Sequence, residues 1–340
     1  MSYSTSQSRY KKSSFDTEYF RDVIDFSSNF HNRNELIETI TEKSCSTSST
    51  YHGPVYTIRG CPGFHYAPGA ISPSDQHLLA HVCLGSYNEP PQAQTNIECI
   101  EPKPNELVVD DMTILDRAIQ QPPPPTTTKV FYRSFKKLTW ATLGYHYDWG
   151  ARAYYPHLRS PFPPSLSNLA KFVSSALWSS TKPFTPEAAI VNYYDRKALM
   201  GGHRDDLEFT FEKPVISISV GLPCIFLLGG LKKNQAPVAI LVRPGDVFSM
   251  GGESRLRFHG MSRLITADAL EMMPAVDEEL RCGGSEHITL KQFDFTDSSS
   301  CSGFSSSCSK EFVSDYLQTH RININVRQVV GDGQQYPEKK

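Results

Sequence analysis

Hydrophobic positions in this chain gather in short runs over its second half and thin out towards its start. The runs Ala188–Tyr194, Val215–Val220, Cys224–Leu228, Val238–Val242, Asp246–Met250 and Arg321–Val330 have β character. Turn signals such as Gly221-Leu222-Pro223, Gly229-Gly230 and Arg243-Pro244-Gly245 separate them. Closely spaced short strands with few helices predict a β-sandwich or jelly roll, not a parallel α/β sheet. One helix is predicted near 165–178, behind Pro163-Pro164, where Leu166, Leu169, Phe172, Val173, Ala176 and Leu177 recur at helical spacing. Earlier, Tyr56–Ile58 reads as a strand and Ser74–Leu84 as a short helix.

The last run is the most informative pattern. In Arg321-Ile322-Asn323-Ile324-Asn325-Val326-Arg327 polar and apolar residues alternate strictly, so Arg321, Asn323, Asn325 and Arg327 share one face. An arginine turned inward needs an anion, and its planar fork suits a carboxylate in two-point contact. A dicarboxylate cosubstrate would satisfy it. The plainer alternative, one face in water, is weakened by Asn192 and Tyr194, which share a face of their own strand and offer neutral donors.

Between these strands lie His203-Arg204-Asp205 and, after Gly251-Gly252-Glu253-Ser254-Arg255, His259. Two histidines and one carboxylate make a three-ligand face for divalent iron with positions left open. His-x-Asp alone is weak. With eleven histidines about half a match is expected by chance, and His146-Tyr147-Asp148 is a second one. Placement adds weight, because residues two apart on an extended segment point to the same side. His203-Arg204-Asp205 also copies the start of a protein-kinase catalytic loop. Thr210 stands where a kinase needs Asn, and no Asp-Phe-Gly follows, so that reading fails.

Composition narrows the rest. Across 340 residues the net charge is −2, which excludes a global basic field for nucleic acid and leaves only a local patch. Lys129–Trp149 supplies one candidate: Lys129, Arg133, Lys136 and Lys137 interleave with Phe131, Tyr132, Phe135 and Trp140. Such a mixture suits a phosphate backbone and a stacked or flipped base, but a core strand with solvated lysines is the better reading of the pattern alone. None of the eight cysteines forms Cys-x-x-Cys, which argues against a structural zinc and for free thiols in an intracellular, reducing compartment. No apolar run is long enough to span a bilayer. Residues 1–50 are expected to be a disordered Ser/Thr-rich tail with one docking patch at Tyr19–Phe30. Residues 86–128 read as a proline-bounded insert containing a possible helix at Leu107–Ile119, and 282–310 as a long serine-rich surface loop.

Taken together, Asn192-x-Tyr194, His203-x-Asp205, Gly251-Gly252-Glu253-Ser254-Arg255 leading to His259, and Arg321-x-Asn323-x-x-x-Arg327 resemble the AlkB family of Fe(II)/2-oxoglutarate dioxygenases. Gly144-Tyr145-His146-Tyr147 and Arg327-Gln328-Val329 resemble an animal branch of it most closely. The resemblance implies a mainly β (α+β) fold: a double-stranded β-helix, or jelly roll, over 138–332 with flanking helices, a substrate-side extension over 51–137 and a tail at 333–340. It implies Fe(II), 2-oxoglutarate and O2 as cofactors, with His203, Asp205 and His259 as the catalytic metal ligands. Asn192-Tyr193-Tyr194, Arg321, Asn323 and Arg327 would form the cosubstrate site, and Tyr145, His146 and Tyr147 the substrate approach, which reverses the core-strand preference there. The implied substrate is a flipped or single-stranded methylated base in tRNA or DNA, handled by a monomer in the nucleus, cytoplasm or mitochondrion. The alternatives are a histone-directed enzyme of the same chemistry and a non-catalytic nucleic-acid-binding module. The 86–128 insert matches the family poorly.

Overall fold

Strands whose residues are buried on both faces must be covered on both faces, and those of the second half are. A computed structural model describes residues 2–12, 20–27, 34–40, 51–88, 93–96, 138–178, 183–266, 269, 287–295 and 306–334. Its strands are β1 (Val23–Ile24), β2 (Ile37–Thr39), β3 (Tyr56–Ile58), β4 (Phe64–Ala67), β5 (Ala93–Thr95), β6 (Trp140–Asp148), β7 (Ala153–Arg159), β8 (Ala188–Tyr194), β9 (Met200–His203), β10 (Val215–Gly221), β11 (Cys224–Leu228), β12 (Val238–Val242), β13 (Val247–Met250), β14 (His259–Leu264) and β15 (Arg321–Arg327). The helices are α1 (Tyr3–Lys12), α2 (Pro73–Leu84), α3 (Pro164–Leu177) and α4 (Ser306–Thr319). None of the described helices is long and apolar enough to cross a membrane.

The strands form two sheets. The larger runs β2-β3-β4-β13-β10-β15-β8-β6-β5, with β7 hanging on β6; the smaller runs β1-β12-β11-β14-β9. Every pairing but β1–β12 is antiparallel. This is the predicted double-sheet jelly roll, and its axis is the central trio β10-β15-β8.

Period-two alternation divides that trio between two interiors. Ile216, Ile218, Val220, Ile322, Ile324, Val326, Val191 and Tyr193 enter a core shared with α2, α3 and α4. Tyr194 points the other way, into the space between the sheets, with Phe226, Phe248 and Met261. The predicted helix over 165–178 is α3; it has Pro164 in its first turn and buries Leu166, Leu169, Ala170, Val173 and Leu177. The α2 helix starts one residue before its predicted span, where the Ser72 hydroxyl accepts from the Asp75 amide as an N-cap.

Two low-complexity regions hold more structure than their composition suggests. Within the first fifty residues, Phe20–Ser27 docks as anticipated, burying Phe20, Val23, Ile24 and Phe26. Contrary to expectation, α1 also forms and buries Tyr3 and Tyr10. Gly202, Gly229 and Gly260 leave the slot that the Tyr3 ring fills, since a Cβ at any of them would overlap it. Within the serine-rich stretch, Ile288, Leu290, Phe293 and Phe295 are buried and α4 begins at Ser306, so 282–310 is not simply a surface loop. Four apolar side chains packing against the helix layer outweigh the surrounding polarity. Leu107–Ile119 and the basic residues of Lys129–Lys137 lie outside the described residues.

Candidate metal and cosubstrate site

Between the two sheets is a cavity of about 400 Å³, the usual size for a small-molecule site. The short strand β9 runs antiparallel to β14 with His203 opposite His259, which sets their rings 4.4 Å apart. Asp205 follows just past β9, its Oδ1 3.7 Å from His203 Nε2. One ligand atom from each of the three residues lies within 4.8 Å of the others. The Nδ1 of each histidine is engaged by a backbone carbonyl, Gly201 O at 2.9 Å for His203 and Arg257 O at 3.1 Å for His259. Those bonds place the proton on Nδ1 and free both Nε2 lone pairs towards the cavity, the arrangement a metal requires. Burial, with His203 nearby, lowers the His259 pKa to about 4 despite the opposing pull of Asp205, so its ring is neutral at pH 7. Burial alone would protonate Asp205, but Arg327, His259, His203 and Arg255 outweigh it and hold the carboxyl well below its usual range. Two imidazoles with Nε2 turned towards the cavity and one carboxylate therefore present a ready divalent-metal face. The donor set fits Fe(II).

Beneath this face lies a buried charge network. Arg327 reaches Asp205 Oδ2 at 3.3 Å and Glu208 Oε1 at 3.2 Å, and Arg255 reaches Glu208 Oε2 at 2.9 Å. Arg255 also donates to the Asp205 carbonyl, and Tyr154 bonds to Arg327. Two cations offset two carboxylates, one of them Asp205, so the buried network closes near neutrality.

Across the cavity the alternation of β15 does what the sequence predicts. Arg321, Asn323, Asn325 and Arg327 all line it, joined by Asn192 and Tyr194 from β8. Arg321 stands opposite Tyr194 and Asn323 opposite Asn192 in the β15–β8 register. The Arg321 guanidinium is buried and bonds Ser219 Oγ at 2.6 Å and Leu222 O at 3.3 Å. Among the described residues it pairs with no carboxylate. A buried, always-charged fork without a counter-ion is built for an anion from outside. Asn323 is fixed by Ser217 Oγ at 2.8 Å and Ile218 O at 3.1 Å.

Three residues fall elsewhere. Tyr193 alternates away from its neighbours and donates its hydroxyl to Cys83 O at 2.6 Å and Asn88 Oδ1 at 2.9 Å in the helix-side core, so it is not a cosubstrate contact. Tyr145 is buried beneath Arg159, whose guanidinium lies 4.5 Å above its ring, and His146 is buried against Thr142. Neither reaches the cavity. Tyr147 does, with Trp149, Arg152 and Tyr154 beside it. The Trp149 ring meets Tyr147 edge-on at 4.6 Å and stays half exposed at the mouth. Sequence reasoning missed Glu208, Arg152 and Tyr154. Only the period-two continuation from Tyr147 to Trp149 gave a signal at the mouth.

A jelly roll enclosing a His-Asp-His face and an arginine-based anion site defines a metal-dependent oxygenase architecture. Residues 105–327 match the 2OG-Fe(II) oxygenase superfamily. Similar proteins include the DNA N(6)-methyladenine demethylase ALKBH1A of Arabidopsis thaliana, 33% identical with 91% of this chain and 86% of the relative covered. The human nucleic acid dioxygenase ALKBH1 is 30% identical over 83% of this chain and 68% of its own length. The tRNA demethylase abh1 of Schizosaccharomyces pombe is 39% identical over 38% of this chain and 43% of its own. This chain belongs to the AlkB family of the 2OG-Fe(II) oxygenase superfamily. It is a dioxygenase that uses Fe(II), 2-oxoglutarate and O2.

Proposed function

We propose that this dioxygenase removes methyl groups from bases in nucleic acid, with methylated adenine or cytosine in a tRNA loop as its preferred target. The observation that carries the reading is the cavity on which the His203-Asp205-His259 face, the buried Arg321 fork and the aromatic mouth at Tyr147 and Trp149 converge. When bound, Fe(II) and 2-oxoglutarate with O2 supply the oxidation of an N-methyl group, and the products are formaldehyde, succinate and CO2.

The chain's own part is positioning. His203, Asp205 and His259 would hold the metal, and the backbone carbonyls of Gly201 and Arg257 keep both rings in the tautomer that leaves Nε2 free. Arg321 would take a carboxylate of the cosubstrate, with Tyr194 and Asn192 beside it, and Asn323 and Arg327 line the same wall. Phe226, Phe248 and Met261 exclude water from this region. Tyr147 and Trp149 offer stacking surfaces to a base turned out of its stack, as any base inside a helix must be to reach so deep a site. Relatives named for DNA and for tRNA support nucleic acid as the substrate. The net charge of −2 favours a structured loop or single strand over loose duplex binding.

The test is direct. The iron-loaded protein is incubated with total tRNA and 2-oxoglutarate, and the RNA is digested and analysed by nucleoside mass spectrometry. Loss of a methyladenosine or methylcytidine species is expected. Unchanged levels of both would defeat the tRNA reading.

A further inference from the structure

We infer that Arg204, which borders the cavity, and Lys233, which shares the Phe258 ring with it, bind neighbouring backbone phosphates of a single nucleic-acid strand beside the base that enters. The inference rests on the nucleic-acid reading above and deepens it by assigning the strand's charge to two residues.

Three observations carry it. First, Phe258 collects two cations on one ring: the Arg204 guanidinium carbon lies 4.8 Å and the Lys233 ammonium 5.4 Å from its centroid. The charges are therefore within about 10 Å of each other despite their mutual repulsion, a spacing that neighbouring phosphates along a strand can bridge. Second, the pair is built and not incidental. Phe258 is fixed by backbone bonds to Gly229 and Gly230, Gly229 N to Phe258 O at 2.7 Å and Phe258 N to Gly230 O at 3.0 Å. The Lys233 backbone is tied as well, its carbonyl accepting the Tyr3 amide at 3.1 Å, while the Tyr3 ring fills the slot left by Gly202, Gly229 and Gly260. The N-terminal helix thus pins the segment that carries the lysine.

Third, the position is right. Arg204 lies between two of the three metal-site residues, His203 and Asp205, and itself borders the cavity. Its sole ion-pair partner among the described residues is Asp206, at a long 3.6 Å and with both side chains about a third exposed. Such a contact is worth little in water and yields readily to a phosphate, which guanidinium binds in two-point geometry. Lys233 is exposed and pairs with no carboxylate among the described residues. Because the chain as a whole carries no positive field, phosphate affinity has to come from local clusters such as this. Stacking on Phe258 adds a second use: it preorganises both long side chains, so less rotamer freedom is lost on binding.

Fluorescence anisotropy with a labelled single-stranded oligonucleotide carrying one N6-methyladenine tests this. The full chain is loaded with Mn(II) and 2-oxoglutarate, and Kd is measured across a salt series. Each single-strand phosphate contact contributes about 0.7 to the slope of log Kd against log salt. Arg204→Gln and Lys233→Gln should each flatten the slope by about 0.7 and the double variant by about 1.4. Arg204→Lys should keep the wild-type slope, and Lys171→Gln on the exposed side of α3 should leave it untouched. A double variant with the wild-type slope overturns the inference, as does an equal loss in Lys171→Gln. Failure of the wild type to bind at all defeats the nucleic-acid reading itself and this inference with it.

Discussion

Replacing Glu208 by alanine removes one carboxylate and leaves two buried guanidinium groups around the space it vacates. Its carboxylate is 1% exposed and contacts Arg255 at 2.9 Å and Arg327 at 3.2 Å. Arg327 retains Asp205 at 3.3 Å, whereas Arg255 is left with the Asp205 carbonyl, a longer-range attraction to that carboxylate and the Phe211 ring. Breaking a buried pair from one side strands the other charge and costs about 3–5 kcal/mol, a fall in the folding constant of two to nearly four powers of ten. The assay is urea unfolding of the metal-free protein, read as a shift of midpoint at constant slope. A charge-balanced comparison isolates the cause. Glu208→Leu together with Arg255→Met removes one ion of each sign, keeps the volume and leaves the Arg327–Asp205 pair intact, so it should be more stable than Glu208→Ala alone. A loss below about 1 kcal/mol in Glu208→Ala, or a double variant less stable than the single, would refute the charge-balance argument.

Other expectations follow from the same geometry. Arg321→Ala should raise the 2-oxoglutarate KM by at least about tenfold, since a charged hydrogen bond is worth roughly 1.5–3 kcal/mol, while metal affinity by calorimetry stays as in wild type; an unchanged KM removes Arg321 from its role. Tyr193→Phe should instead cost about 1–2 kcal/mol of stability and leave that KM alone, and a rise comparable to that of Arg321→Ala would return Tyr193 to the cosubstrate site. For the metal-free protein, the depressed His259 pKa means that below 6.5 the unfolded chain binds a proton the native state refuses. Stability therefore falls as pH drops from 6.5 towards about 4, and the depressed Asp205 extends the loss below 3.8. Melting temperatures across this range should decline more gently in His259→Gln, and parallel profiles would contradict the assignment.

Much of the site was legible because it rests on period-two geometry. The strict alternation of Arg321–Arg327 predicts which face lines the cavity, and the same rule applied to Asn192-Tyr193-Tyr194 would have excluded Tyr193. His203 and Asp205 were found as a pair, but His-x-Asp also occurs at His146-Tyr147-Asp148, where His146 is a buried strand residue. Glu208 was illegible: an acid beyond β9 looks solvated until Arg255 and Arg327, distant in sequence, close around it. For α1, a polar segment docks because three glycines far along the chain leave room for one tyrosine ring. Such complementarity is written in the partner surface, not in the segment itself.

The most direct test of the whole account is stoichiometric. Wild type and Asp205→Ala, each supplied with Fe(II), 2-oxoglutarate and a methylated RNA stem-loop, are followed for succinate and for methyl groups lost. One succinate per methyl group removed is expected in the wild type, and neither product in Asp205→Ala. Methyl loss that persists in Asp205→Ala, or succinate formed with no methyl loss from any methylated nucleic acid, would contradict it.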